Sequence, residues 1–333
     1  MSSTSPPPFS GEPASAVAIA VASAAQGDGG GAGATVVPDA GWVLDAGETL
    51  TAVPPLRLAL VTFAENRLAL ASTIVLVLVA AFSFVGPLLY HTDQISTNLL
   101  IANLAPGAAH PLGTTPEGRD ELGRLMLGGQ STLEVGITAA LLATAFGLVW
   151  GLIAGYAGGW LDSVLMRVVD AMLSIPFLFF VVLLASLIVP TLWLIILVIT
   201  AVSWLSTARL VRGEALSLRT RDYVRAAEGF GARPTRLAFR HIAPNLLGVV
   251  IVNGTLKVAD AILIFASISY LGLGLPPPAT SWGALLTAGI NNLFDGYWWQ
   301  LWPAAFMIVI TVLAVAVLGD GLRDVVERRL QKR

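Results

Sequence analysis

The sequence of 333 residues contains no cysteine, and only 12% of its residues are charged. The absence of cysteine excludes disulfides, zinc–thiolate sites, iron–sulfur clusters and thiol catalysis. Soluble domains are typically about 25% charged. The low charge, together with a hydrophobic content of 56%, therefore indicates that lipid is the main solvent of this chain.

Motifs of enzymes and of metal sites are also missing. The sequence has no Walker A motif, no GxSxG, no HExxH and no dinucleotide fingerprint. Its three histidines, His91, His110 and His241, are too scattered to suggest a metal site, and the formal net charge of −2 does not indicate a nucleic-acid partner. We expect a protein that is not an enzyme, binds no cofactor or metal itself, and has no nucleic-acid partner.

Six long apolar segments dominate what is present. Each can cross the roughly 30 Å hydrocarbon layer as a helix of about 20 residues. The sequence thus predicts an all-α membrane protein with six transmembrane helices. The predicted spans run approximately from Leu68 to Tyr90, Leu133 to Tyr156, Val164 to Val189, Thr191 to Leu210, Leu246 to Leu271 and Trp299 to Leu318.

The chain is predicted to have three parts. Residues 1–52 are rich in Pro, Ser, Ala and Gly and contain no Lys or Arg, so they are predicted to be a disordered cytoplasmic tail. Residues 53–67 are predicted to form an amphipathic segment on the membrane surface, leading into the six-helix transmembrane domain of residues 68–330. If the N-terminus is cytoplasmic, all of the 19 Lys and Arg residues except Arg119, Arg124 and Lys257 lie on or at the border of the cytoplasmic side. This asymmetry predicts that both termini and the loop of about 221–245 are cytoplasmic.

That loop includes the stretch RAAEGFGARPTRLAFRHIAPN (225–245) between two apolar spans. Tyr223 to Phe230 can form a short helix, with Ala226 and Ala227 on one side that permits close docking of another subunit. Gly231 suits a helix end, where positive φ is common. A loop that merely sets orientation would explain the charge, but not this order of small residues. Pro234 then opens a second short helix, and Pro244 marks the approach to the fifth span.

Three charged residues, Asp170, Lys257 and Asp260, lie at membrane depth, where such groups usually face a partner or a watery cavity. Lys257 and Asp260 are three residues apart and can pair on one helix face. Ser174 has no general base nearby in sequence, so it is not expected to act as a nucleophile. Pro176 is expected to kink the third span, either as a structural feature alone or to shape a pathway. These five residues are the candidate pathway residues.

Glycines at 147, 151 and 155 form a smooth face on the second span, and we expect another helix to pack closely there.

The loop resembles the cytoplasmic EAA loop of ATP-binding-cassette importer permeases. Over about residues 55–330, the chain resembles the second permease subunit of the dipeptide/oligopeptide/nickel importer group. The matching motifs are HPLGTTPEGRDELGRL, GLIAGYAGGWLD, the Asp170 to Pro176 segment, YVRAAEGFGA, RHIAPN, SYLGLGLPPPATSWG and LGDGLRD. The sequence departs from the family pattern at Arg225, which stands where the pattern has Glu, and at Phe265, a position that is often acidic; Glu228 is a candidate substitute for the missing carboxylate.

The resemblance implies a type I importer permease fold with a coupling helix between helices 4 and 5. It implies an inner-membrane protein that works with a second homologous permease, two ATPase subunits that bind ATP and Mg²⁺, an external solute-binding protein and membrane lipid. Peptides are the expected cargo, with nickel chelates or oligosaccharides as alternatives. An ion-coupled secondary carrier that uses Asp170, Lys257 and Asp260 is a further alternative. The residues that the resemblance places in the ATPase-coupling loop are Tyr223, Arg225, Ala226, Ala227, Glu228, Gly231, Ala232, His241, Pro244 and Asn245.

Overall fold

The computed structural model describes residues 63–176, 179–181, 183 and 189–331. The predicted tail (1–52) and most of the predicted surface segment (53–67) lie outside the described residues, so both stay predictions. Within the described ranges the regular structure is helical, and the β pairing found there is a single isolated bridge between Thr114 and Asp120. The all-α class is therefore confirmed.

The main helices are numbered here in chain order. They are α1 Arg67–Phe84, α2 Glu121–Ala157, α3 Gly159–Leu173, α4 Leu192–Arg219, α5 Asp222–Gly229, α6 Ala243–Tyr270, α7 Trp282–Asn291 and α8 Trp302–Gln331. Shorter helical turns are Gly86–Leu89, Leu99–Ile101, Pro234–Arg236, Leu293–Asp295 and Trp298–Gln300, and Leu237–Ile242 is a π-helical turn that runs into α6.

Five helical stretches in the described part of the chain are long and apolar enough to cross a membrane. They are Arg67–Phe84, Glu121–Ala157, Leu192–Arg219, Leu237–Tyr270 and Trp298–Val326. These stretches correspond to the first, second, fourth, fifth and sixth predicted spans. The third predicted span begins in α3, but residues 177–178, 182 and 184–188 lie outside the described residues, so a total of six spans stays a prediction.

The regular part of helix α3 ends shortly before Pro176. Helix α3 ends at Leu173, with Ser174 as its C-terminal cap. A proline has no amide hydrogen to donate, and its ring disfavours helical backbone at the preceding residue. Helical bonding resumes when the amide of Phe179 donates to the carbonyl of Pro176. The kink expected at Pro176 stays a prediction, because residues 177–178 lie outside the described residues.

Side-chain caps fix the start of four helices. Asn66, Asp120, Thr191 and Ser281 each accept a hydrogen bond from a backbone amide two or three residues ahead. Such caps satisfy amides that have no partner within the helix. The polar residue before each apolar run therefore sets where α1, α2, α4 and α7 begin.

Helices α2 and α4 approach closely along Gly147, Gly151 and Gly155. A methyl group added at Gly151 would overlap the carbonyl oxygen of Ala208, and one added at Gly155 would lie 2.7 Å from the carbonyl oxygen of Arg212. Only glycine permits such contact between two helix backbones. The packing role predicted for these glycines is confirmed.

The bundle end that carries residues 91–120 and α7 is the one that the sequence predicts to be external, and we call it the outer end. At its centre lies Trp282, which is completely buried. Its indole N–H donates to the carbonyl of Leu125 (2.9 Å), and its amide donates to the hydroxyl of Thr132 (3.2 Å). These bonds hold α7 against α2.

One carboxylate organises the loop before α2. Asp120 caps the helix through the amide of Gly123 (2.8 Å), accepts a hydrogen bond from the hydroxyl of Tyr90 (2.9 Å), and lies 2.8 Å from Nδ1 of His110. Burial, followed by the hydrogen bond to Asp120 and its charge, raises the pKa of Tyr90 to about 12. The loop from residue 90 to residue 123 is thus folded around Asp120.

Candidate functional site

The short helix α5 lies at the opposite end of the bundle, which we call the inner end. Its C-terminus closes with two hydrogen bonds: the amide of Gly231 donates to the carbonyl of Glu228 (2.9 Å), and the amide of Ala232 donates to that of Ala227 (3.1 Å). Gly231 has a φ of 79°, in the left-handed region. This pattern is a Schellman motif, which needs a residue that tolerates positive φ at this position. The sequence GFGA therefore ends the helix.

One face of α5 packs against the bundle. Val224 is fully buried, and Ala227 and Ala232 are partly buried beside it. The cluster that they join consists of Leu152, Val211, Ala215, Leu237, Ile242, Leu246 and Val250. One face of α5 therefore packs against α2, α4 and the start of α6 at the same time.

The opposite face of α5 is open. Tyr223 and Ala226 are exposed, and the side chain of Phe230 is 92% exposed. Residues three and four apart share a helix face, so these three form one surface, which we call the outward face of α5. The sequence placed docking at both Ala226 and Ala227. In the structure Ala226 is exposed, whereas Ala227 is partly buried against its own chain; the docking role of both residues stays a prediction.

Phe230 was missed by the sequence reasoning, although its spacing of seven residues from Tyr223 could have indicated it. A large exposed aromatic side chain is a typical anchor of a protein interface.

The two ends of the predicted coupling loop meet at Asn245. Its side-chain amide donates to the carbonyl of His241 (2.6 Å) and to the hydroxyl of Tyr223 (3.3 Å). Pro244, in the first turn of α6, cannot donate to the carbonyl four residues earlier, and the π-helical turn Leu237–Ile242 precedes it. The loop is therefore a compact unit in which α5 is tied to the start of α6.

This unit presents a positive surface. Five of its arginines are exposed, and none of them forms an ion pair within the described part of the chain. They are Arg221, Arg225, Arg233, Arg236 and Arg240. Arg225, which departs from the family pattern, is thus accommodated by pointing into solvent, and Glu228 is exposed as well.

An ion pair that sequence reasoning missed lies next to the loop. Arg212 on α4 binds Asp162 on α3 through two parallel hydrogen bonds, Nε–Oδ1 (2.5 Å) and Nη2–Oδ2 (2.7 Å). Asp162 is almost fully buried. The residues are 50 positions apart in the chain, so no local pattern in the sequence indicates the pair. It fixes the start of α3 against the inner end of α4.

The three charged candidate pathway residues belong to two separate ion pairs. Asp170 on α3 pairs with Arg209 on α4, and both side chains are about half exposed. Ser174 uses its hydroxyl to bond the carbonyl of Ala171 in its own helix (2.6 Å). The structure therefore brings neither Ser174 nor Asp170 into hydrogen-bond contact with the charged residues of α6.

The pair predicted on α6 is present. Nζ of Lys257 lies 2.8 Å from Oδ2 of Asp260, and the two side chains are 14% and 53% exposed. Both residues lie near the middle of a helix that can span a membrane. Phe265, on the same helix, is completely buried in an apolar cluster. A carboxylate at that position would lack a polar partner, whereas Asp260 is half open to its surroundings.

Comparison with protein families gives two matches. Residues 147–332 match the family described as "Binding-protein-dependent transport system inner membrane component". Residues 54–106 match the "N-terminal TM domain of oligopeptide transport permease C". The two matches together cover both ends of the helical bundle and all of the coupling loop.

Individual relatives cover most of the chain. It is 38% identical to the oligopeptide transport system permease protein OppC of Bacillus subtilis (strain 168), over 82% of this chain and 90% of that protein. It is 37% identical to the dipeptide transport system permease protein DppC of the same organism, over 80% and 84% of the two chains. It is 42% identical to the OppC protein of Escherichia coli (strain K12), over 80% and 88%.

Proposed function

Because this chain belongs to the family of binding-protein-dependent transport system inner membrane components, we propose that it is the permease subunit of an ATP-driven importer of dipeptides or oligopeptides. The names of its relatives support peptide cargo. The chain forms half of a translocation pathway and supplies no hydrolytic residue. ATP and Mg²⁺ are bound by the partner ATPases.

A second homologous permease completes the pathway. The observation that supports this step is Asp260, a carboxylate that is half exposed near the middle of α6. Insertion scales assign a charged residue at the bilayer centre a penalty of about 2.5–3.5 kcal/mol. A partner helix or an aqueous pathway removes that penalty, whereas lipid does not. The same reasoning applies to the exposed Asp170–Arg209 pair.

Two cytoplasmic ATPases dock on the outward face of α5, and a solute-binding protein docks at the outer end. The single observation that carries this proposal is the division of α5 into two faces: one face is locked into the bundle, and the other offers Phe230, Ala226 and Tyr223. When the ATPases close on ATP, they move α5, and its inward face transmits the movement to α2, α4 and α6. The pathway then opens to the opposite side, and hydrolysis resets it.

The test is to replace Phe230 with alanine in the assembled importer. Burying a phenylalanine contributes about 1.5–3 kcal/mol, so Phe230→Ala should weaken association with the ATPases by roughly 10- to 150-fold. The permease itself should stay folded, because this side chain is 92% exposed. The matched control is Phe294→Ala at the outer end, where the side chain is 95% exposed.

Association is measured by titrating ATPase subunits onto permease in nanodiscs, and coupling by peptide uptake into proteoliposomes. Phe294→Ala should leave ATPase affinity unchanged. The docking proposal fails if Phe230→Ala retains wild-type affinity and uptake, or if both variants lose ATPase affinity equally.

A further inference from the structure

A small polar cavity lies at the outer end, between the loop before α2 and helix α7. It has a volume of about 110 Å³. A single water needs roughly 10–15 Å³ of such space, so the cavity is large enough for a small organic molecule. Its exposed lining residues include Glu117 and Pro277, which place its mouth between the two outer segments.

Unsatisfied polar atoms are concentrated at this cavity. In the described part of the chain, five buried side-chain nitrogen or oxygen atoms have no hydrogen-bond partner, and three of them belong to its lining residues. They are Nε of Arg119, Oε1 of Glu121 and Oγ1 of Thr280. Native proteins rarely leave buried polar atoms without partners. Three such atoms around one cavity therefore indicate a site that is completed by an occupant.

The charges of the lining are separated from one another. Arg119 and Arg124 carry guanidinium groups and Glu117 and Glu121 carry carboxyl groups, yet no arginine–glutamate pair among these four comes within 4.0 Å in the described structure. Arg124 is 8% exposed and donates to the carbonyl of Pro278 (2.7 Å), while Glu121 is 1% exposed. Buried charges that do not neutralise each other are costly. An occupant must therefore supply acceptors to the arginines and a donor to Glu121.

We propose that this cavity binds a compact zwitterion of the α-amino-acid class. Its carboxylate accepts hydrogen bonds from Arg119, Arg124 and Thr280, and its ammonium group donates to Glu121. A simple anion would face Glu121 with no donor, and a simple cation would face the two arginines. The bound molecule is either a free amino acid or one of the shortest peptides, since both carry a carboxylate and an ammonium group.

The experiment measures binding to the full-length permease, assembled with its partner subunits, by isothermal titration at constant ionic strength. The probes are glycine, diglycine, acetate and methylammonium. Glycine should bind, and acetate and methylammonium, which each satisfy only half of the site, should bind at least about tenfold more weakly. Comparison of glycine with diglycine decides between a free amino acid and a peptide as the source, and tighter binding of either one supports the zwitterion site.

Two near-isosteric variants test the assignment of side chains. Glu121→Gln and Thr280→Val should each weaken glycine binding. The loss should be larger for Glu121→Gln, about tenfold or more. Glu134→Gln, an exposed glutamate of the same helix, is the matched control and should bind like the wild type. Thr280→Val keeps the test informative if Glu121→Gln does not fold. Acetate binding as tight as glycine binding, or no measurable glycine binding by the wild-type protein, would overturn the proposal.

Discussion

The substitution Gly151→Ala tests the contact between α2 and α4, and Gly213→Ala is its matched control. Both glycines lie in long helices, α2 and α4. A methyl group at Gly151 would overlap the carbonyl oxygen of Ala208 and lie 2.8 Å from Cβ of Val211, whereas a methyl group at Gly213 would meet nothing within 4 Å. The same substitution therefore adds a methyl group to a closely packed position at Gly151 and to an open position at Gly213.

The substitution Gly151→Ala has two effects on the free energy of unfolding, and they have opposite signs. Replacing glycine by alanine within a helix is favourable by up to about 1 kcal/mol at either position. At Gly151 the two helices must also move apart, and overpacking of this kind costs about 1–3 kcal/mol. A gap of 0.5–1 Å already removes about a quarter to a half of each dispersion contact. The propensity gain cancels in the comparison, so Gly151→Ala should be less stable than Gly213→Ala by about 1–3 kcal/mol.

Thermal unfolding of the purified permease in detergent measures this difference. With roughly 2–4 °C per kcal/mol for chains of 150–250 residues, the two variants should differ by several degrees, with Gly213→Ala at or above the wild-type Tm. If Gly151→Ala has the same Tm as Gly213→Ala or a higher one, the close approach of α2 and α4 does not exist as described.

Three further predictions concern charge and topology. Arg212→Lys cannot form both hydrogen bonds to Asp162 and should lower stability by about 1–2 kcal/mol, seen as a lower Tm; an unchanged Tm would show that the pair is not structural. Lys257→Met removes the cation of the α6 pair, so uptake of peptides with free and with amidated C-termini should fall equally, and a larger loss for the free peptide would instead indicate contact with cargo. In this chain without native cysteine, a cysteine at exposed position Arg236 should react with an impermeant thiol reagent only from the cytoplasm and one at Phe294 only from outside, and reversed reactivity would contradict the topology.

Features that depend on local sequence could be predicted well. Apolar runs of helix length gave five of the spans, because length and composition alone decide whether a helix can cross lipid. The glycine spacing at 147, 151 and 155 predicted close packing, because a missing Cβ has only a few structural uses. The end of α5 at Gly231 followed from the conformational freedom of glycine.

Features that depend on tertiary contacts could not be predicted. Ala226 and Ala227 are identical in type and adjacent, and only the cluster behind α5 decides which one is exposed. Thr280 is a polar residue in an interhelical segment, yet it is buried beside the outer cavity. That cavity is formed by segments more than 150 residues apart, as the bond from Arg124 to Pro278 shows, so no motif of either segment indicates it.

Helix α2 is a continuous rod of 37 residues, about 55 Å long at 1.5 Å per residue. A methyl group added at Gly151, near the inner end of α2, would come nearer to α4 than one added at Gly147 or Gly155. The arm from Gly151 to Ala157 measures roughly 9 Å, and the arm from Gly151 to Glu121 measures roughly 45 Å. If α2 turned as a rigid body about Gly151, a shift of about 1 Å at its inner end would shift its outer end by about 5 Å. Glu121, which lines the outer cavity, would move with that outer end.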